Sequence, residues 1–296
     1  MNELRNVWRG VWQGQMLLGE GPVWDVARAM LWFVDIKTPR IYCYDPATDM
    51  VEGWDAPTYV GWVFPCDDGT IVAGLRNGVA RFDPSTGGFE HLVAPVPHPD
   101  HNRLNDATVA PDGTIWFGTM DDEEAQATGR IFRFDGMAVT AATIAPVTIT
   151  NGPAVSPDGK LLYFVDTGGG LVRVAEIDEK GEVRAQRDFV SIDPADGHPD
   201  GVTVDSAGNI WLGLWGGWCA RLYSARGELL REVRLPAANV TKVALGGPDL
   251  KTAYVTTARI GLDEQALSEQ PEAGSLFAFD VEMPGQALRY ARVGRR

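Results

Sequence analysis

Short apolar runs recur along this chain, each bounded by Gly, Pro, Asp or Asn. Residues 31–35, 70–74, 115–119, 162–166, 210–214 and 253–257 are the clearest, and their starts lie 39 to 48 residues apart. After each comes a second run in which apolar and polar positions alternate: 40–45, 78–83, 130–135, 171–175, 220–224 and 275–280. A period of two with β-branched and aromatic residues predicts strands. A shorter apolar strand precedes each pair, and runs such as 89–93 and 229–233 supply a fourth after the turn. Repeats of this length point to a propeller or a similar array. Four strands in six copies predict an all-β, six-bladed β-propeller with four antiparallel strands per blade, one domain over residues 1–296. Residues 7–13 are expected to add a strand to the last blade, which closes the ring and leaves no open edge. Helical periodicity is nearly absent, and 263–269 is the one candidate helix.

The repeat has a chemical side. Eight residues before the glycine that closes each Asp-Gly type turn stands one recurring position. Gly113 points back to Asn105, Gly159 to Asn151, Gly208 to Asp200, and Gly69, after Asp67-Asp68, to Gly61. The first copy, Glu20-Gly21-Pro22, aligns with Asn151-Gly152-Pro153 and contributes Glu20. The last contributes Thr241 or Lys242. In a propeller the first strand of every blade lines the central channel, so these positions are expected to meet at one rim. Oxygen donors gathered there suit a hard cation such as Ca²⁺, Mg²⁺ or Mn²⁺, since like-charged carboxylates at one point need a counter-ion. Zn²⁺ usually brings His or Cys as well. The competing reading is that such residues cap strand ends, as Asn and Asp commonly do. Asp200 is placed to act as a base toward water attacking an ester carbonyl. Arg103, two residues before Asn105, is placed to steady the oxyanion.

Charge and cysteine content narrow the field. The net charge of −14 disfavours a phosphate backbone or an anionic membrane as partner. Three scattered cysteines make neither a disulfide framework nor a metal pair, which fits a reducing cytoplasm. The N-terminal residues 1–10 hold no apolar run of signal-peptide length, and no stretch is long enough to span a bilayer. No Gly-x-Ser-x-Gly elbow is present, which disfavours a serine hydrolase. Gly168-Gly169-Gly170 joins two strands and reads as a hairpin, not a phosphate loop. His98 and His101 read as solvated loop residues. Trp215 and Trp218 could stack on a sugar or pack in a blade, and Tyr59 and Trp62 flank the blade-two rim position as pocket-wall candidates.

Gly19-Glu20-Gly21-Pro22-Val23-Trp24, Asn102-Arg103-Leu104-Asn105-Asp106, Gly118-Thr119-Met120, Thr150-Asn151-Gly152-Pro153 and Pro199-Asp200-Gly201 follow one another in that order. Gly246-Gly247-Pro248-Asp249-Leu250, Ala258-Arg259-Ile260-Gly261-Leu262 and Gln270-Pro271-Glu272-Ala273-Gly274 complete the series. In these segments the chain resembles the SMP-30/gluconolactonase/regucalcin family of metal-dependent sugar lactonases, nearest to xylonolactonase- and arabinonolactonase-type enzymes. The resemblance implies a six-bladed propeller holding one divalent metal ion: calcium, magnesium, manganese, iron or zinc. Carried onto this chain, it implies Glu20, Asn151 and Asp200 as ligands, with Asp200 doubling as catalytic base. It places Arg103 against the sugar hydroxyls and carbonyl oxygen, and Asn105 either against the metal through water or against substrate. A substrate-contacting Glu after Gly-Thr-Met falls by spacing on Glu123, within the ambiguous run Asp121-Asp122-Glu123-Glu124, and Trp215 is added as a sugar platform. The expected partner is a small sugar lactone, with xylonolactone, arabinonolactone and gluconolactone as candidates. A monomer is expected, because a closed ring has no edge to pair. Two other readings stay open: a calcium-binding propeller without catalysis, and an esterase or phosphotriesterase using the same site.

Overall fold

The structure is a computed structural model that describes residues 7–66, 68–287 and 289–294. The expected terminal segment 1–6 and Asp67 of the blade-two turn lie outside the described residues. Six four-stranded antiparallel sheets form a ring, the six-bladed β-propeller expected from the repeat. The innermost strands are Gly19–Asp25, Val60–Pro65, Asn102–Val109, Thr150–Val155, His198–Val204 and Asn239–Gly246. Each packs against the innermost strand of the next blade, and the last packs against the first. Five blades run outward in chain order. The sixth takes its outermost strand, Arg9–Trp12, from the other end of the chain, paired with Leu276–Asp280. Ring closure by hydrogen bonds therefore falls where residues 7–13 predict it.

The alternation explains the layering. Innermost and second strands are buried on both faces and read as continuous apolar runs, such as Val60–Pro65 and Ile71–Leu75. Outermost strands, such as Met50–Asp55, are largely exposed and carry charge, which guards a free edge. Aromatic pairs join neighbouring blades: Trp54 with Phe82 at 5.8 Å, Trp62 with Phe117 at 5.7 Å, Trp211 with Phe279 at 5.2 Å, and Trp24 stacked on Tyr254 at 5.7 Å. Each such pair adds about 1 kcal/mol beyond the area it buries. Trp62 is fully buried in this packing, and neither Trp62 nor Tyr59 lines the cavity at the channel mouth. The short helix is Glu264–Glu269, capped by Asp263, whose carboxylate accepts the Ala266 amide at 2.8 Å. Among the described residues no helix is long and apolar enough to cross a membrane. All three cysteines are buried and free, and burial pushes the Cys43 thiol up to about 12, which rules out a ready nucleophile there.

Candidate active site at the channel mouth

All six innermost strands lose their regular pairing at the same place. The register slips between Glu20 and Val23, Val60 and Trp62, Leu104 and Ala107, Asn151 and Ala154, Pro199 and Val202, and Val240 and Lys242. A bulge re-aims the side chain beside it. The glycines that follow Glu20 and Asn151 make it feasible: Gly21 has φ 54° and Gly152 φ 67°, in the left-handed region. The repeat-equivalent positions thus turn toward the channel.

They do not all do the same work. Glu20, Asn105, Asn151 and Asp200 line one cavity of about 500 Å³, together with Arg103 and Trp215. Gly61 gives clearance instead: a Cβ there would stand 2.3 Å from the Asn105 carbonyl oxygen. Thr241 turns into the neighbouring blade, where its hydroxyl donates to Gly19 O at 2.7 Å. Glu123 is exposed and absent from the cavity wall, whereas its neighbours Asp122 and Glu124 line it. Asp121 is committed to the turn, accepting the amides of Glu123, Ala125 and Gln126. Trp218 does not line the cavity. His98 and His101 are engaged with Arg76 O and the Thr128 hydroxyl.

The two amides and the arginine form one hydrogen-bonded chain. Asn105 Nδ2 donates to Asn151 Oδ1 at 2.8 Å and to Thr150 O at 2.7 Å. Asn151 Nδ2 donates to the Thr167 hydroxyl at 2.9 Å, and that hydroxyl donates to Pro199 O. Arg103 Nη1 donates to Asn105 Oδ1, and its Nε donates to Asp122 Oδ1 at 2.9 Å. Asp122 also receives Lys37 Nζ at 2.6 Å and Arg76 Nη1 at 3.2 Å. Lys37 and Arg76 both lie over the Tyr59 ring. Burial would raise the Asp122 pKa, but the Lys37 hydrogen bond and the surrounding cations outweigh it and hold the group below the usual range. Arg103 is buried, and its Nη2 has no partner among the described residues. One face of the guanidinium is fixed and the other is left for a ligand. Lys37 carried no motif in the sequence and Asp122 stood only in the ambiguous acidic run 121–124; their pairing joins positions 85 residues apart in different blades.

Glu20 and Asp200 are the electrostatic anomaly. Both are buried, at 4% exposure each. Glu20 accepts only the Gly21 amide at 2.8 Å, and Asp200 accepts no hydrogen bond from the described residues. Burial, then the negative charge of Asp106, pushes Glu20 up to about 8. Burial, then the charge of Glu20, pushes Asp200 well above the ordinary carboxylate range. No three His, Cys, Asp or Glu side chains group as a metal site among the described residues. Glu20, Asp200 and Asn151 line the same cavity, and two undercompensated buried carboxylates with an amide oxygen suit a hard divalent ion.

The comparisons with known proteins agree with one another. The family model described as SMP-30/Gluconolactonase/LRE-like region matches residues 18–259. The chain is 37% identical to the pentonolactonase of Haloferax volcanii over 276 residues, 91% of this chain and 92% of that one. It is 33% identical to the L-arabinolactonase of Azospirillum brasilense, covering 94% of this chain and 93% of that one. Among solved structures, the calcium-binding protein regucalcin of Agrobacterium tumefaciens superposes with a TM-score of 0.91 at 27% identity, over 98% of both chains.

Proposed function

The chain belongs to the SMP-30/gluconolactonase/LRE-like family and is a carboxylic-ester hydrolase of the lactonase class; from that premise we propose that it opens the ring ester of a sugar lactone at the channel mouth, with a divalent cation held by Glu20, Asn151 and Asp200. The observation that carries this reading is the pair of buried carboxylates left without compensating donors, beside a buried arginine with one free nitrogen. When bound, the cation supplies a Lewis acid and balances the carboxylate charge.

The remaining chemistry belongs to the chain. Asp200 takes a proton from water as the water oxygen adds to the ring carbonyl carbon. Arg103 Nη2 donates to the oxygen that becomes negative, while Asp122 and Asn105 hold the guanidinium still. The tetrahedral centre collapses, the bond from carbonyl carbon to ring oxygen breaks, and Asp200 returns its proton to the leaving alkoxide. The product is the open aldonic acid. Trp215 offers a flat face to the sugar, and Asp122, Glu124 and Lys37 offer polar contacts to its hydroxyls.

Hydrolysis of xylonolactone, arabinonolactone and gluconolactone, followed by pH-stat, tests the reading. Turnover is expected to vanish after chelation and to return with a divalent cation. Full turnover in the chelated protein would overturn the metal assignment. Binding of Ca²⁺ without hydrolysis of any lactone would favour a non-catalytic propeller, and turnover confined to acyclic esters or phosphotriesters would favour the third reading.

A further inference from the structure

Beneath the carboxylates lies an ion pair that the mechanism above does not use. Lys242 and Asp106 are both buried, at 5% and 1% exposure. Lys242 Nζ stands 2.5 Å from Asp106 Oδ1 and 3.0 Å from Ala107 O. Their strands, Asn239–Gly246 and Asn102–Val109, belong to the sixth and third blades, three steps apart in either direction around the ring. The contact therefore crosses the channel from one wall to the opposite wall. The lysine stem runs over Gly201, where a Cβ would stand 2.6 Å from Lys242 Cγ. Gly201 follows Asp200 and Asp106 follows Asn105, so the pair touches the site from both sides. Both charges also act on Glu20 and Asp200.

We propose that the Lys242–Asp106 pair is a cross-channel strut that floors the catalytic cavity and sets its cation affinity, Lys242 as a fixed opposing charge and Asp106 as a fixed supporting one. The proposal rests on the reading of Glu20, Asn151 and Asp200 as the ligands. The physical consequence has a sign. Neutralising the lysine removes a positive charge near the cation, and neutralising the aspartate removes a negative one. A merely structural strut has no such sign, and its loss weakens binding whichever end is changed.

The test is calorimetric titration of Ca²⁺ and, separately, Mn²⁺ into chelated protein, without any activity readout. Lys242→Gln is expected to tighten the dissociation constant by on the order of tenfold, and Asp106→Asn to weaken it by a similar factor. The double variant, which is neutral and keeps hydrogen-bonding groups at both ends, is expected to return near the unmodified value. If Lys242→Gln alone does not fold, the step from Asp106→Asn to the double variant carries the same sign and must tighten binding. Weakening in both single variants, or no change in either, overturns the proposal. Failure of the unmodified protein to bind either ion would instead overturn the ligand reading on which the proposal stands.

Discussion

The two ends of the innermost strands Gly19–Asp25 and His198–Val204 carry the same kinds of residue and use them in opposite ways. At the mouth, Glu20 accepts one backbone amide and Asp200 accepts none among the described residues. At the far end, Asp25 accepts the amides of Ala27 and Arg28 as well as the Arg28 guanidinium. Asp205 accepts Ala207 N and Asn209 N at 2.9 Å each, with Asn209 Nδ2 at 2.8 Å. Asp158 takes the Ser156 hydroxyl and the Lys160 amide, and its pKa is held below the usual range first by that hydroxyl. Donors that favour the ionised carboxylate stabilise a turn. Withholding them leaves charge that something else must balance, and that end is the one facing the cavity. Residue type says little about role here; the count of donors says nearly everything.

The comparison can be broken in three ways. The largest effect is expected from Asp200→Ala, with kcat for lactone hydrolysis falling about 10³-fold, the scale of losing a general base. Circular dichroism and the thermal midpoint of the chelated protein should hold, since no hydrogen bond is lost; a collapse of the fold would show that the mouth is structural after all. The next effect is a pH slope. The Glu20 pKa is raised in the folded chain, so its contribution to stability is complete below about 4.5 and is lost as pH rises through about 8. Chelated protein should therefore melt at lower temperature as pH climbs across that window, and a saturating divalent cation or Glu20→Gln should flatten the slope. Turn carboxylates run the other way: Asp158, lowered, stabilises above its ordinary value of 3.8 and loses that contribution as pH falls through its folded value. The smallest effect is expected from Asp205→Ala. Urea unfolding should show a loss of about 2 kcal/mol from removing three partly buried turn hydrogen bonds, with kcat unchanged. A loss of activity there would mean that the two ends are not separable.

Much of the site could be read from spacing because the ring turns sequence period into proximity. The count back from the turn glycines reached Asn105, Asn151 and Asp200, the match of Glu20-Gly21-Pro22 to Asn151-Gly152-Pro153 added Glu20, and all four line the cavity. It also reached Gly61, whose work is clearance for the Asn105 backbone, and Thr241, which ties two blades together. Spacing says where a Cα falls, and these cases turn on what the next blade places against it. The same limit applies after Gly118-Thr119-Met120. Spacing pointed to Glu123, while the turn organised by Asp121 exposes Glu123 and leaves Asp122 and Glu124 on the wall. Lys37 had no pattern to betray it; the repeat offered Lys242 and the acidic run after Met120 offered Asp122, but their pairing with Asp106 and Lys37 respectively could not be read, since each contact joins blades far apart in the chain.

What the order of residues determined alone is periodic: six copies, the alternation within each strand, the glycines that permit a bulge, and the terminal segment that completes the last blade. These follow from local conformational preference and from the two-residue period of a strand, which every copy repeats. What only the tertiary structure decided is which of six equivalent positions stay free of hydrogen bonds and which are consumed by a neighbour. That depends on contacts across the channel and between blades, which join residues distant in the chain.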